Sequence, residues 1–94
     1  LSSAGAELRI SGVVQGVGYR YYCYRKAIAL GLAGQVKNEV DGSVFIAVEG
    51  DRGAIEAFIE ELRIGPPSAS VTALDVQWVG FEARYRSFDI AMCG

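Results

Sequence analysis

Gly16, Val17, Gly18, Tyr19 and Arg20 form a short run whose residue types suit the holding of a small anion. Two glycines one residue apart tolerate positive φ and carry no Cβ, so successive backbone N–H groups can turn inward toward one point. Arg20 adds a fixed charge with forked donors that match phosphate oxygens. A helix beginning at about Tyr19 to Tyr21 would aim its unpaired first-turn N–H groups, and the positive end of its dipole, at the same place. The chemistry implied is phosphate binding by backbone amides and one guanidinium. A Walker A loop is excluded, because Gly18 is followed by Tyr19 and Arg20 rather than by Lys and a hydroxyl residue. A dinucleotide fingerprint would need a third glycine where Tyr21 stands. A thiol phosphatase would place its cysteine before the arginine, but Cys23 follows Arg20, and a chain without histidine has no phosphohistidine route.

The elements around this loop define the fold. Leu8, Ile10, Gly12 and Val14 alternate with Arg9, Ser11 and Val13, the period of a strand that runs into the cradle. Tyr22, Cys23, Lys26, Ala27 and Leu30 recur at helical spacing, and Gly31 supplies a stop. Leu32 to Glu39 reads as a second strand, Val40-Asp41-Gly42-Ser43 as a primed hairpin turn, and Ser43 to Glu49 as a third strand with Val44, Ile46 and Val48 on one face. Asp51 is placed to cap a helix over about Arg52 to Arg63, with Ile55, Phe58, Ile59 and Leu62 as its apolar stripe. Gly65-Pro66-Pro67-Ser68 ends that helix; Val71 to Val79 is a fourth strand with Leu74, Val76 and Trp78 inward, and Arg86 to Ile90 a short edge addition. The order β-α-β-β-α-β predicts an α+β, ferredoxin-like sandwich, with an antiparallel sheet and both helices packed on one face. Residues 1–6 are expected to be a disordered leader or a remnant of expression, and 7–94 one domain.

Composition narrows the partners. The chain has 94 residues, 51% of them hydrophobic and 21% charged, within the range of one compact domain. Nine basic against eleven acidic residues give a net charge of −2, which disfavours nucleic acid. Arg20, Arg25, Lys26 and Lys37 nonetheless fall near the cradle or after the first helix, so a local positive site for a small anion is compatible with an acidic whole. No apolar run approaches the roughly 20 residues of a membrane helix, and a cytoplasmic monomer is the expectation. Cys23 and Cys93 lack metal-ligand spacing and, with no histidine, no metal site is expected. Two inert buried thiols, or a single Cys23–Cys93 bridge, both remain open.

Ser11-Gly12-Val13-Val14-Gln15-Gly16-Val17-Gly18-Tyr19-Arg20 resembles the signature loop of the acylphosphatase family. Gly31-Leu32-Ala33-Gly34-Gln35-Val36-Lys37-Asn38 followed by Asp41-Gly42-Ser43-Val44 resembles the family's second signature, and the likeness extends to Gly65-Pro66-Pro67 and Ser87-Phe88-Asp89-Ile90. The resemblance implies hydrolysis of acyl phosphates to carboxylate and inorganic phosphate, without metal or other cofactor. It implies that Arg20 binds the phosphate together with Gln15, Gly16, Val17, Gly18 and Tyr19, and that Asn38 orients the attacking water. Inorganic phosphate is then both product and expected competitive inhibitor. The chain departs from the pattern at three places: Gln35 where many members have Trp, Lys37 where they have Arg before the asparagine, and Tyr19 where Phe often precedes the arginine.

Two other classes compete. An RNA-binding module of the same topology would need a basic, aromatic third strand, and Ser43 to Glu49 has only Phe45. A catalytically inert regulatory or partner-binding domain would not need Arg20 and Asn38 to share a site. A similar module is fused to a hydrogenase-maturation protein, where carbamoyl phosphate is the relevant compound; the free enzyme is the expectation here.

Overall fold

A computed structural model describes residues 2–91. Its elements are β1 (Ser3–Val13), α1 (Tyr19–Ala29), β2 (Ala33–Asn38), β3 (Val44–Asp51), α2 (Arg52–Ile64), β4 (Ser70–Val79) and β5 (Phe88–Ile90). The sheet order is β4-β1-β3-β2-β5. β3 lies between β1 and β2 and pairs antiparallel with both, so β1 and β2 run in the same direction. Each helix is thus the crossover of a split βαβ unit, as expected for a ferredoxin-like α+β fold.

The sheet is mixed rather than wholly antiparallel, because β5 pairs parallel with β2 through Gly34↔Phe88 and Val36↔Ile90. After β4 the chain crosses the end of the sheet to its far edge before β5 begins. The Glu49 carboxylate, 3% exposed, holds that crossing by accepting from the N–H groups of Glu82 and Arg84 at 2.9 and 2.8 Å. The strand β1 also starts earlier than its alternation suggests: Ser3 pairs with Asp51, and Ala6 pairs with Val48 and Trp78 and is buried. Residues 3–6 are therefore sheet and not leader; Ser-Ala-Gly-Ala carries too little side-chain contrast to display a two-residue period.

One face of the sheet carries the core. Leu8, Ile10, Val36, Val44, Ile46 and Val48 meet the buried stripe of α2, Ile55, Phe58, Ile59 and Leu62. Phe58 and Phe88 meet edge to face, with ring centroids 6.0 Å apart. Asp51 caps α2 as expected, its carboxylate accepting from the Ala54 N–H at 3.1 Å. The α1 stripe is narrower than the apolar spacing suggests: Tyr19, Cys23 and Ala27 are buried, while Lys26 reaches out to Glu61 at 3.4 Å. Cys23 is a buried free thiol, and its expected alternative partner Cys93 lies outside the described residues.

The β2–β3 connection is not the primed two-residue turn. Gly42 alone has positive φ, 94°, and its N–H donates to the Glu39 carbonyl, while the Glu39 N–H donates to the Ser43 carbonyl at 2.8 Å. That pattern is the three-residue hairpin loop closed by a glycine bulge. The Asp41 carboxylate accepts from the Ser43 N–H and hydroxyl at 3.0 and 2.6 Å, which keeps its pKa below the usual value. In β2, a methyl group on Gly34 would strike the Ala47 carbonyl oxygen, so the close approach of β2 to β3 just before Asn38 requires glycine.

Candidate active site

Three parallel-running strands bring their C-terminal ends to one edge of the sheet. β1 delivers the loop 14–18, β2 delivers Asn38, and β5 delivers Ile90 and Ala91. The N-terminus of α1 opens at the same edge, since it follows the loop directly.

Gly16 and Gly18 have φ of 75° and 79°, and a Cβ at either would meet nothing within 4 Å. Conformation alone calls for glycine at both, and the space beside them stays open. Gly18 is the N-cap of α1 in left-handed geometry; no side chain caps the helix, and its first turn contains no acidic residue. Most helices satisfy their first N–H groups with a Ser, Thr, Asp or Asn side chain. Here the first intrahelical bond runs from the Tyr22 N–H to the Gly18 carbonyl at 3.1 Å, and the earlier N–H groups of the turn are left for an external acceptor.

Arg20 stands in that first turn, half-buried, with one guanidinium nitrogen 3.5 Å from the Ala91 carbonyl. The Ala91 N–H in turn donates to the Val36 carbonyl at 2.8 Å. The arginine is thereby brought beside the end of β2, two residues before Asn38. Arg20, Gly16, Gly18, Val14, Tyr21 and Ile90 line a hollow of about 190 Å³. Asn38 does not line this hollow. It shares with Val36 and Gly34 the helix-bearing face, and its Oδ1 is buried with no hydrogen-bond partner among the described residues. A buried carboxamide oxygen with no protein donor can accept a hydrogen bond from outside the chain.

Gln15 and Tyr19 do more than lend backbone amides. The Gln15 side-chain amide donates to the Glu39 and Ser43 carbonyls, both at 2.8 Å, tying the loop to the hairpin beyond Asn38. The Tyr19 ring is in the core, 1% exposed, and its hydroxyl donates to the Leu62 carbonyl at 2.7 Å. The Tyr22 hydroxyl donates to the Glu61 carbonyl at 2.8 Å. Two tyrosines of α1 thus bond carbonyls in the last turn of α2, where the Glu61 carbonyl also accepts from the Gly65 N–H at 3.0 Å. Burial drives the pKa of Tyr19 and of the Cys23 thiol far upward, so both stay protonated. Ser68 donates to the Val17 carbonyl at 2.9 Å and steadies the loop from the far side. The ties made by Gln15, Tyr19, Ser68 and Ala91 escaped the sequence reading, because each joins residues at least 24 positions apart.

Of the departures from the family pattern, Tyr19 lies in the loop itself and lines the hollow, whereas Lys37 falls away from it. The Lys37 ammonium lies 3.8 Å from Glu39 and over the Phe45 ring, on the sheet face without helices. A larger hollow of about 280 Å³ on that face is lined by Glu7, Arg9, Phe45, Asp75 and Gln77. Its one cation, Arg9, already sits over Phe45 and 3.6 Å from Glu39, so it offers an anion little.

The acylphosphatase family model matches residues 6–90, a span that contains the loop, Arg20, Asn38 and β5. The chain belongs to the acylphosphatase family. That membership makes it an acylphosphatase-type hydrolase. It is 49% identical over 71 residues to the acylphosphatase of Thermotoga petrophila, covering 76% of this chain and 79% of that one. The crystal structure of acylphosphatase from Bacillus subtilis superposes with a TM-score of 0.91 at 35% identity, over 94% of this chain and 98% of that one. A full-length HypF structure in a phosphate- and nucleotide-bound form matches with a TM-score of 0.84 at 32% identity, over 96% of this chain but 12% of that one. No helix among the described residues is long and apolar enough to cross a membrane.

Proposed function

We propose that the chain hydrolyses the carboxyl–phosphate anhydride of acyl phosphates, by in-line attack of a water on a phosphate held by the 15–20 loop and Arg20. The observation that carries this reading is the uncapped N-terminus of α1, preceded by two positive-φ glycines and carrying Arg20 in its first turn. The amides and the guanidinium fork match the three non-bridging oxygens on which negative charge must be stabilised as the P–O bond breaks. A carboxylate leaves readily, so no general acid is needed, in keeping with a chain that has no histidine. The Asn38 Oδ1, which accepts from no described residue, accepts a hydrogen bond from the attacking water and so fixes its direction. A carboxamide is too weak a base to take the proton, which passes to a phosphate oxygen. All the positive charge this scheme uses is in Arg20 and the backbone. Among the described residues no cluster of three or more His, Cys, Asp or Glu forms, and the reading calls on none. A cytoplasmic monomer, inhibited competitively by inorganic phosphate, is part of the same proposal.

The test is hydrolysis of benzoyl phosphate against p-nitrophenyl phosphate, with and without EDTA. Rapid turnover of the anhydride alone, unaffected by chelator, supports the reading; equal turnover of the ester, or loss of activity in EDTA, overturns it.

A further inference from the structure

We propose that the Gln15 side chain is a positioning residue for Asn38, coupling the phosphate loop to the group that directs water; the inference rests on the reaction proposed above. The amide nitrogen of Gln15 has two hydrogens, and the structure uses both, one on the Glu39 carbonyl and one on the Ser43 carbonyl, each at 2.8 Å. Those carbonyls belong to the two ends of the hairpin loop that starts immediately after Asn38, and the Glu39 N–H donates to the same Ser43 carbonyl. Gln15 therefore closes the loop from outside while belonging to the cradle itself.

Asn38 needs such support. Its own Oδ1 has no partner among the described residues, so none of them fixes the carboxamide through that atom. It is the last residue of β2, where Asn38↔Val44 is the final pair of the ladder with β3. The backbone that follows is anchored by Gln15 at Glu39 and by the turn's own bonds. Without the Gln15 donors, the Glu39 carbonyl would keep only the 3.2 Å bond from the Gly42 N–H, and the end of the strand would be freer to shift. Misplacement of a reacting group by about 1 Å costs on the order of a hundredfold in rate. Without these two bonds the cradle keeps its other ties, Arg20 to the Ala91 carbonyl and Ser68 to the Val17 carbonyl, so phosphate affinity and turnover separate.

Gln15→Met keeps the length of the side chain and removes both donors. The expected result is a fall in kcat of roughly ten- to a hundredfold, with the inhibition constant for inorganic phosphate within about twofold of the parent. In an Asn38→Ala background the same substitution should change kcat by less than about twofold, because residues acting through one another are not additive. An equal loss in both backgrounds, an unchanged kcat in the parent, or a parallel rise in the phosphate constant would overturn the proposal. Should Gln15→Met fail to fold, Gln15→Asn keeps the amide but withdraws it by one methylene, and the same split is expected. Should the parent hydrolyse no acyl phosphate, the side-chain amide resonances of Asn38 give an independent reading. A shift on Gln15→Met would uphold the positioning role while the proposed reaction fell; unchanged resonances would refute the positioning role.

Discussion

Replacing Arg20 by lysine separates the two things that residue does. Among the described residues its side chain makes one hydrogen bond, to the Ala91 carbonyl at a stretched 3.5 Å, and it is half-buried with no ion-pair partner. An ordinary protein hydrogen bond is worth about 0.5–1.5 kcal/mol net, and one at that length falls at the low end. Arg20→Lys should therefore destabilise the fold by less than about 1 kcal/mol, a fall in Tm of no more than roughly 8 °C for a domain of this size. Catalysis should respond far more strongly. An ammonium keeps the charge but loses the planar fork that meets two phosphate oxygens together. Removing a single preorganised donor to a developing anion costs about 2.7–4 kcal/mol, or 10²–10³ in rate. The assay is benzoyl phosphate hydrolysis followed in the ultraviolet, with urea unfolding of the same preparation. A lysine variant that is folded and turns over with near-parental kcat and KM would refute the assignment of Arg20 as the phosphate fork. So would a loss of activity accounted for by the fraction unfolded.

Asn38→Ala should lower kcat on the order of a hundredfold without lowering the urea midpoint, because the deleted oxygen has no partner among the described residues to lose; parental turnover would remove Asn38 from the reaction. Tyr19→Phe leaves the Leu62 carbonyl without its 2.7 Å donor and should cost about 1–3 kcal/mol in urea unfolding; an unchanged midpoint would mean that the α1–α2 junction does not rely on that bond. Alkali should destabilise the domain. Burial raises the Cys23 pKa from an ordinary 9.0 and the Tyr19 pKa from 10.0, so above about pH 9 the unfolded chain releases protons that the folded chain keeps, and stability falls as pH rises. The urea midpoint measured from pH 8 upward should decline, and less steeply in Cys23→Ala; identical slopes would contradict the burial of that thiol.

Much of the fold was legible from periodicity. The α2 stripe, its Asp51 cap and the alternation of β3 all rest on local patterns, and the structure places them as expected. The glycine loop was legible as well, because positive φ at Gly16 and Gly18 is a local demand. What stayed hidden depends on distant partners. The start of β1 at Ser3 is stabilised by pairing with Asp51 and Gly50, not by side chains with a pattern of their own. The direction of β5 is set by where the 80–87 crossing arrives, and Glu49 holds that crossing from another strand. The hairpin loop took a bulged form because the Asp41 side chain bonds Ser43 and only Gly42 turns left-handed. In the site, Arg20 and the loop announce themselves by residue type, whereas Gln15 needs its two acceptors in view before its side chain acquires a role.

The central claim is that water attacks phosphorus while the amide cradle and Arg20 hold the phosphoryl oxygens. Hydrolysis of benzoyl phosphate in water enriched in oxygen-18, followed by mass analysis of both products, tests it most directly. One labelled oxygen in the inorganic phosphate and none in the benzoate is the predicted result. Label in the benzoate would place the attack at the acyl carbon and contradict the account.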